Sequence, residues 1–161
     1  MTSDNNTRTL AARTVRAFHP GDHAHTTPAA IELLRHGPGV RAGDPAGDTR
    51  WEVRVTINDE PTVSCTAGST WGALLLARIE LEQRGWHLAI AAARRDHTVL
   101  DPDRQRESTT VSELTDAGRS AQPGIFQDAD PSTIGTVDEQ AQHRTAWIER
   151  RYGTTAATHT R

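Results

Sequence analysis

The chain has no lysine, a single cysteine and no long apolar run, and its aromatic content is only 4%. Without lysine there can be no Schiff base and no Walker-type phosphate lysine, since both need a primary amine. Cys65 cannot form an internal disulfide or a cysteine zinc cluster, and its place in an alternating segment suggests a buried structural thiol. No stretch is long and apolar enough to predict a membrane-spanning helix. The opening MTSDNNTRTL lacks the basic start and apolar segment of a secretion signal, so a cytoplasmic protein is expected. All 18 basic residues are arginine, and they are outnumbered by 21 carboxylates, giving a formal charge of −3. That balance argues against phosphate-driven nucleic-acid binding. At 161 residues with 35% hydrophobic content, one domain with a modest core is expected.

What the sequence does hold is concentrated between residues 51 and 93. WEVRVTI alternates Trp51, Val53, Val55 and Ile57 against Glu52, Arg54 and Thr56, the period of a strand with one wet face. The turn-forming run Asn58-Asp59-Glu60-Pro61 leads into Thr62-Val63-Ser64-Cys65, which predicts a hairpin. Ser69 or Thr70 can cap a helix running through WGALLLARIELEQR to Gly85. Trp71, Leu74, Ala77, Arg78 and Leu81 share one face of it, while Leu75, Leu76 and Ile79 widen the apolar surface beyond a single stripe. A second cover is therefore expected on this helix, either the chain's own C-terminal segment or a partner. Residues 86–93 alternate large residues with small ones and predict a third, central strand. The expected fold is α+β: a β-β-α-β core sheet with one packed helix, an edge strand near Val111 and a C-terminal helix.

Outside that core, residues 1–50 read as a flexible arm with one short helix over AAIELLRH, opened by Pro28 and closed by Gly37. Residues 37–50 are rich in turn formers and predict a linker, with a domain boundary at about residue 50. Thr136 and Glu139 form a capping box for a helix ending before Gly153, so residues 51–152 are the expected domain and 153–161 a frayed tail.

Two clusters could carry ligands. His19, Asp22, His23 and His25 in HPGDHAH offer metal-ligating types, but on an arm without a fixed frame such groups are usually solvated, and no metal or cofactor is assigned. Arg94, Arg95 and His97 at the exit of the third expected strand could bind a carboxylate or phosphate; the plainer reading is a solvated turn with Asp96 pairing one arginine.

The segments WGALLLARIELEQRGW, Arg94-Arg95 and GIFQDADPSTIGTVDEQ, ahead of a tryptophan-bearing helix, together resemble a group of small uncharacterised proteins from high-GC bacteria. The similarity spans roughly residues 50–150 and carries no activity with it. The chain departs from that group after the third strand, where DHTVLDPDRQREST stands in place of a glycine-rich segment.

Two functions compete. A protein-binding module, of adaptor, accessory or immunity type, would use Leu75, Leu76 and Ile79 with the N-terminal segment, and would have a protein partner or form a homo-oligomer. A small enzyme or anion-binding protein would use His87 or His97 as base beside Arg94, Arg95 and the carboxylates of Asp96 or Asp128. The sequence has no glycine-rich phosphate loop and no serine elbow, so it points away from an enzyme.

Overall fold

The computed structural model describes residues 6–38, 49–120 and 122–153, and shows an α+β fold built on an antiparallel sheet. The strands are β1 (Thr7–Phe18), β2 (Thr27–His36), β3 (Arg50–Ile57) and β4 (Val63–Ala67); helix α1 (Thr70–Gln83) follows, and then the short β5 (His87–Leu88). They line up in the order β4-β3-β2-β1-β5, every pair antiparallel. A second sheet, β6-β7-β8, is formed by His97–Thr98, Ser112–Thr115 and Gly118–Ser120, and helix α2 (Val137–Tyr152) closes the described chain.

The β3–β4 hairpin and α1 stand where their alternation and caps predict. On β3, Trp51, Val53, Val55 and Ile57 are all buried, and their β2 neighbours Ile31 and Leu33 are fully so. Helix α1 lies over this face with Trp71, Leu74, Ala77, Arg78 and Leu81 inward. Each fully buried leucine or isoleucine contributes about 1.5–3 kcal/mol through lost water contact. The Ser69 hydroxyl accepts from the Gly72 amide at 3.0 Å, satisfying one of the free donors at the helix start. No helix among the described residues is long and apolar enough to cross a membrane.

The N-terminal segment is not an arm. Residues 7–18 and 27–36 form β1 and β2, and β2 sits in the middle of the sheet, hydrogen-bonded to β3 from Ala29–Ile57 to His36–Arg50. The boundary expected at about residue 50 therefore falls inside the sheet. The helix expected over AAIELLRH is strand because Ala29, Ile31 and Leu33 alternate onto the core face. In so short a run, Ile31 and Leu34 also sit three apart, so helical and strand periods overlap. Gly37 does end the element, at a positive φ of 111° that suits glycine, but the element is a strand. Most of the linker reading, residues 39–48, and the tail reading, 154–161, lie outside the described residues.

The third strand is not central either. His87–Leu88 pairs with the end of β1 at the sheet's edge, Ile90 makes a single bridge to Asp128, and Ala91–Ala93 coil into a 3-10 turn. The alternation that suggested a strand reflects burial on every side: Ala89, Ala91, Ala92 and Ala93 are all inside, the first three bonded to residues 125–129 and Ala93 to Gly135. Ile125 and Phe126 are buried there. The edge strand expected near Val111 is β7, the middle strand of the small sheet, and Gly118–Ser120 pairs with it.

Candidate functional site

Helices α1 and α2 are joined by buried polar contacts and then part. Arg78 is 4% exposed, so burial holds its guanidinium down, at a pKa of about 10. Its Nη1 donates to Gln140 Oε1 at 2.6 Å and its Nη2 to the Gly135 carbonyl at 2.9 Å. Gln140 Nε2 lies 2.8, 2.9 and 2.7 Å from the carbonyls of Ala92, Arg94 and His97. One side chain thus ties α1, α2 and the 3-10 turn together. The first turn of α2 is further held by the Val137 amide donating to Glu82 Oε1 at 2.8 Å. The capping box is complete: Glu139 N donates to Thr136 Oγ1 and Thr136 N to Glu139 Oε1, both at 3.0 Å. That amide donor, foremost, holds the Glu139 carboxyl below its ordinary range.

Beyond these pins a cleft of about 280 Å³ opens, walled by Trp71 and Leu75 of α1, Val99 and Pro102 of the loop after β6, and Ala141 and Arg144 of α2. The volume falls just below the roughly 300 Å³ at which small-ligand pockets begin, and its walls are mainly apolar. Arg144 spans the α2 side, its Nη2 donating to the Leu100 carbonyl at 3.2 Å. Of the residues expected to meet a partner, Leu75 is half-buried and lines this cleft. Leu76 and Ile79 stay outside, 47% and 40% exposed. Leu75 and Ile79 are four residues apart and Leu76 and Ile79 three, so the trio forms one continuous apolar ridge beside the cleft.

Arg94, Arg95 and His97 do not converge on one point. Arg94 lies 3.3 Å from Asp96 and Arg95 3.6 Å from Glu139, with Arg95 Nη1 also donating to the Ser132 carbonyl at 3.1 Å. Arg95 is seated over Gly135, where a β-carbon would come within 2.5 Å of its Cγ. His97 is 2% exposed, with Nδ1 2.7 Å from Asp96 Oδ1. The expected anion site is thus already supplied with carboxylates of its own. Nor do the candidate acid–base groups assemble: Asp128 holds Arg16 through two contacts of 2.9 Å, and His87 stacks on Phe18, its pKa lowered chiefly by burial.

The histidines of HPGDHAH are exposed and make local surface contacts. His19 stacks on Trp86 at 3.9 Å and reaches the Gly85 carbonyl, His23 meets Phe18 edge-on, and His25 pairs with Asp22 at 2.7 Å. The described residues contain no group of three histidine, cysteine or carboxylate side chains placed to hold a metal. Cys65 is half-buried, 3.7 Å from Glu80 Oε2, and its thiol is pushed up chiefly by burial.

Sequence reasoning missed the Gln140 hub, although Gln140 lies seven residues before buried Trp147 and so on its face of α2. It also missed Glu52, which is buried on the solvent side of β3. Glu52 accepts from Arg54 at 2.6 and 3.1 Å, from Ser64, and contacts His36 at 2.6 Å. The Arg54 contact above all, with Ser64 and His36, lowers its pKa to about 2. No protein-family model and no curated protein matches the chain.

Proposed function

We propose that this chain is a protein-binding module, of adaptor, accessory or immunity type, that receives an apolar segment of a partner protein on α1 and in the adjoining cleft. The observation that carries the reading is the exposure of Leu76 and Ile79 beside a cleft already lined by Leu75. Large apolar side chains set together on a surface cost free energy until something covers them, and the adjoining cleft continues that apolar surface. The commitment of Arg94, Arg95 and His97 to internal partners supports the same choice over an anion-binding role. A cytoplasmic setting and a bacterial source belong to this reading: a lone half-buried thiol asks for no oxidising compartment, and the resemblance to the small high-GC bacterial proteins points to the source.

The test is to purify the tagged full chain from its native cells beside a Leu76→Asp/Ile79→Asp chain of unchanged unfolding midpoint, and to measure the mass of each in solution. A stoichiometric partner, or a second copy, that the native chain holds and the variant loses supports the reading. A companion held equally by both, or a native chain that is monomeric and alone, defeats it.

A further inference from the structure

The two edges of β1 are unequal. One is paired with β2 from Thr7 to Ala17, whereas the other meets β5 only at Ala17 and Phe18. At that end the Arg16 carbonyl accepts from the Ala89 amide at 2.8 Å, which fixes the direction in which Arg16 turns its backbone. In an antiparallel sheet, alternate residues turn both N–H and C=O to the same edge. Thr14 and Ala12 therefore point the same way as Arg16, and their amides and carbonyls find no backbone partner there among the described residues. Ala12, Arg13 and Thr14 are exposed, as an open edge requires. A row of unpaired donors and acceptors is a template for another strand. The register shift between Thr9 and Ala11 bends the strand and sets one limit of this template, and β5 sets the other. Residues 11–16 remain, roughly 20 Å of straight edge.

Charge decides what can lie on it. β1 carries Arg8, Arg13 and Arg16 and no carboxylate. Asp128 answers Arg16, but Arg8 and Arg13 make no ion pair among the described residues, and Arg13 reaches only the Phe126 carbonyl, at 3.4 Å. A second copy of β1 would add three more arginines and no carboxylate, leaving Arg8 and Arg13 without an opposite charge across the strands. We propose that the free edge of β1, over residues 11–16, is a strand-addition site for an extended acidic segment of a partner protein. The backbone ladder supplies affinity, and Arg13, with Arg8 beyond the bulge, selects carboxylates on the incoming strand. No residue of α1 or of the cleft takes part, so the inference stands or falls apart from the function proposed above.

Amide hydrogen exchange on the free full chain comes first: Ala12 and Thr14 should exchange faster than Arg13 and Val15, which face β2. The chain is then titrated by NMR with a capped synthetic peptide alternating glutamate and threonine, and with its lysine–threonine counterpart. The glutamate peptide should shift and protect the Ala12 and Thr14 amides, while the lysine peptide should leave them unmoved. An Arg8→Glu/Arg13→Glu chain should bind the glutamate peptide about tenfold more weakly, from two lost cross-strand ion pairs. Thr14→Pro, which removes one edge N–H at a position where an edge strand tolerates proline, should abolish the protection. If that variant does not fold, the charge-reversed chain still decides. Slow exchange of Ala12 and Thr14 in the free chain, equal response to both peptides, or dimerisation of the free chain along β1 would each overturn the proposal.

Discussion

The five-stranded sheet with α1 and the α2 region are held by different physics. On the sheet's inner face the attachment is apolar and repetitive: Val53, Val55 and Ile57 against Ile31, Leu33 and Leu74. Such a contact has no privileged member, and a loss at one position leaves its neighbours in place. Helix α2 is attached through few polar atoms, above all Gln140 with its three carbonyl neighbours and the Arg78 guanidinium. There each atom matters singly, because a buried donor or acceptor that loses its partner bears its full desolvation cost. The candidate surface lies where these two kinds of attachment meet, and the cleft exists because α2 is pinned at its start and by Trp147 Nε1 to the Thr115 carbonyl, not packed along α1.

Removing the largest fully buried side chain should have the largest effect. Trp51→Ala should cost about 3–5 kcal/mol in a denaturant titration, spread over the whole sheet. Acid should come next. Because the folded Glu52 has its pKa lowered from 4.5 to about 2, its ion cluster stabilises the fold above pH 4.5, and that contribution, about 3 kcal/mol, is lost as pH falls toward 2. Glu52→Gln should flatten this part of the stability–pH curve; an unchanged curve would show that Glu52 is not the group responsible.

Gln140→Leu keeps the volume but strips the hub, and should cost about 2–3 kcal/mol. Its diagnostic is local: hydrogen exchange should quicken in α2 while β2 and β3 keep their protection. Uniform loss would erase the contrast between the two regions. Thr136→Ala, which removes half of the capping box, should cost about 1 kcal/mol with the same α2-confined signature. Smallest of all, Leu76→Asp should move stability by less than about 0.5 kcal/mol, since the side chain touches solvent. A large destabilisation there would mean that Leu76 belongs to the fold and not to a partner surface.

Much of the fold was legible. The β3–β4 hairpin, the Ser69 cap, α1 and the Thr136–Glu139 capping box follow from local periodicity and from side chains that satisfy nearby backbone groups. Leu75, Leu76 and Ile79 were legible as excess apolar surface on α1, because a helix fixes which residues share a side. The N-terminal strands were harder to see. β1 is half-exposed and rich in arginine, and it is a strand because β2 offers it an edge, not because its own residues demand one. His87 to Ala93 erred in the opposite direction, as alternation arose from all-round burial rather than from pairing.

By itself the sequence determined the kinds of chemistry open to this chain, the face that α1 buries and the ends of both helices, because these depend on residue type and on neighbours within a turn. Tertiary structure alone decided that β2 lies at the centre of the sheet, that Arg95 meets Glu139 and the Ser132 carbonyl, that Gln140 joins two helices, and that one edge of β1 stays open among the described residues. Each of those depends on contacts between residues distant along the chain, where burial and hydrogen-bond satisfaction are settled by the whole fold and no local pattern records the outcome.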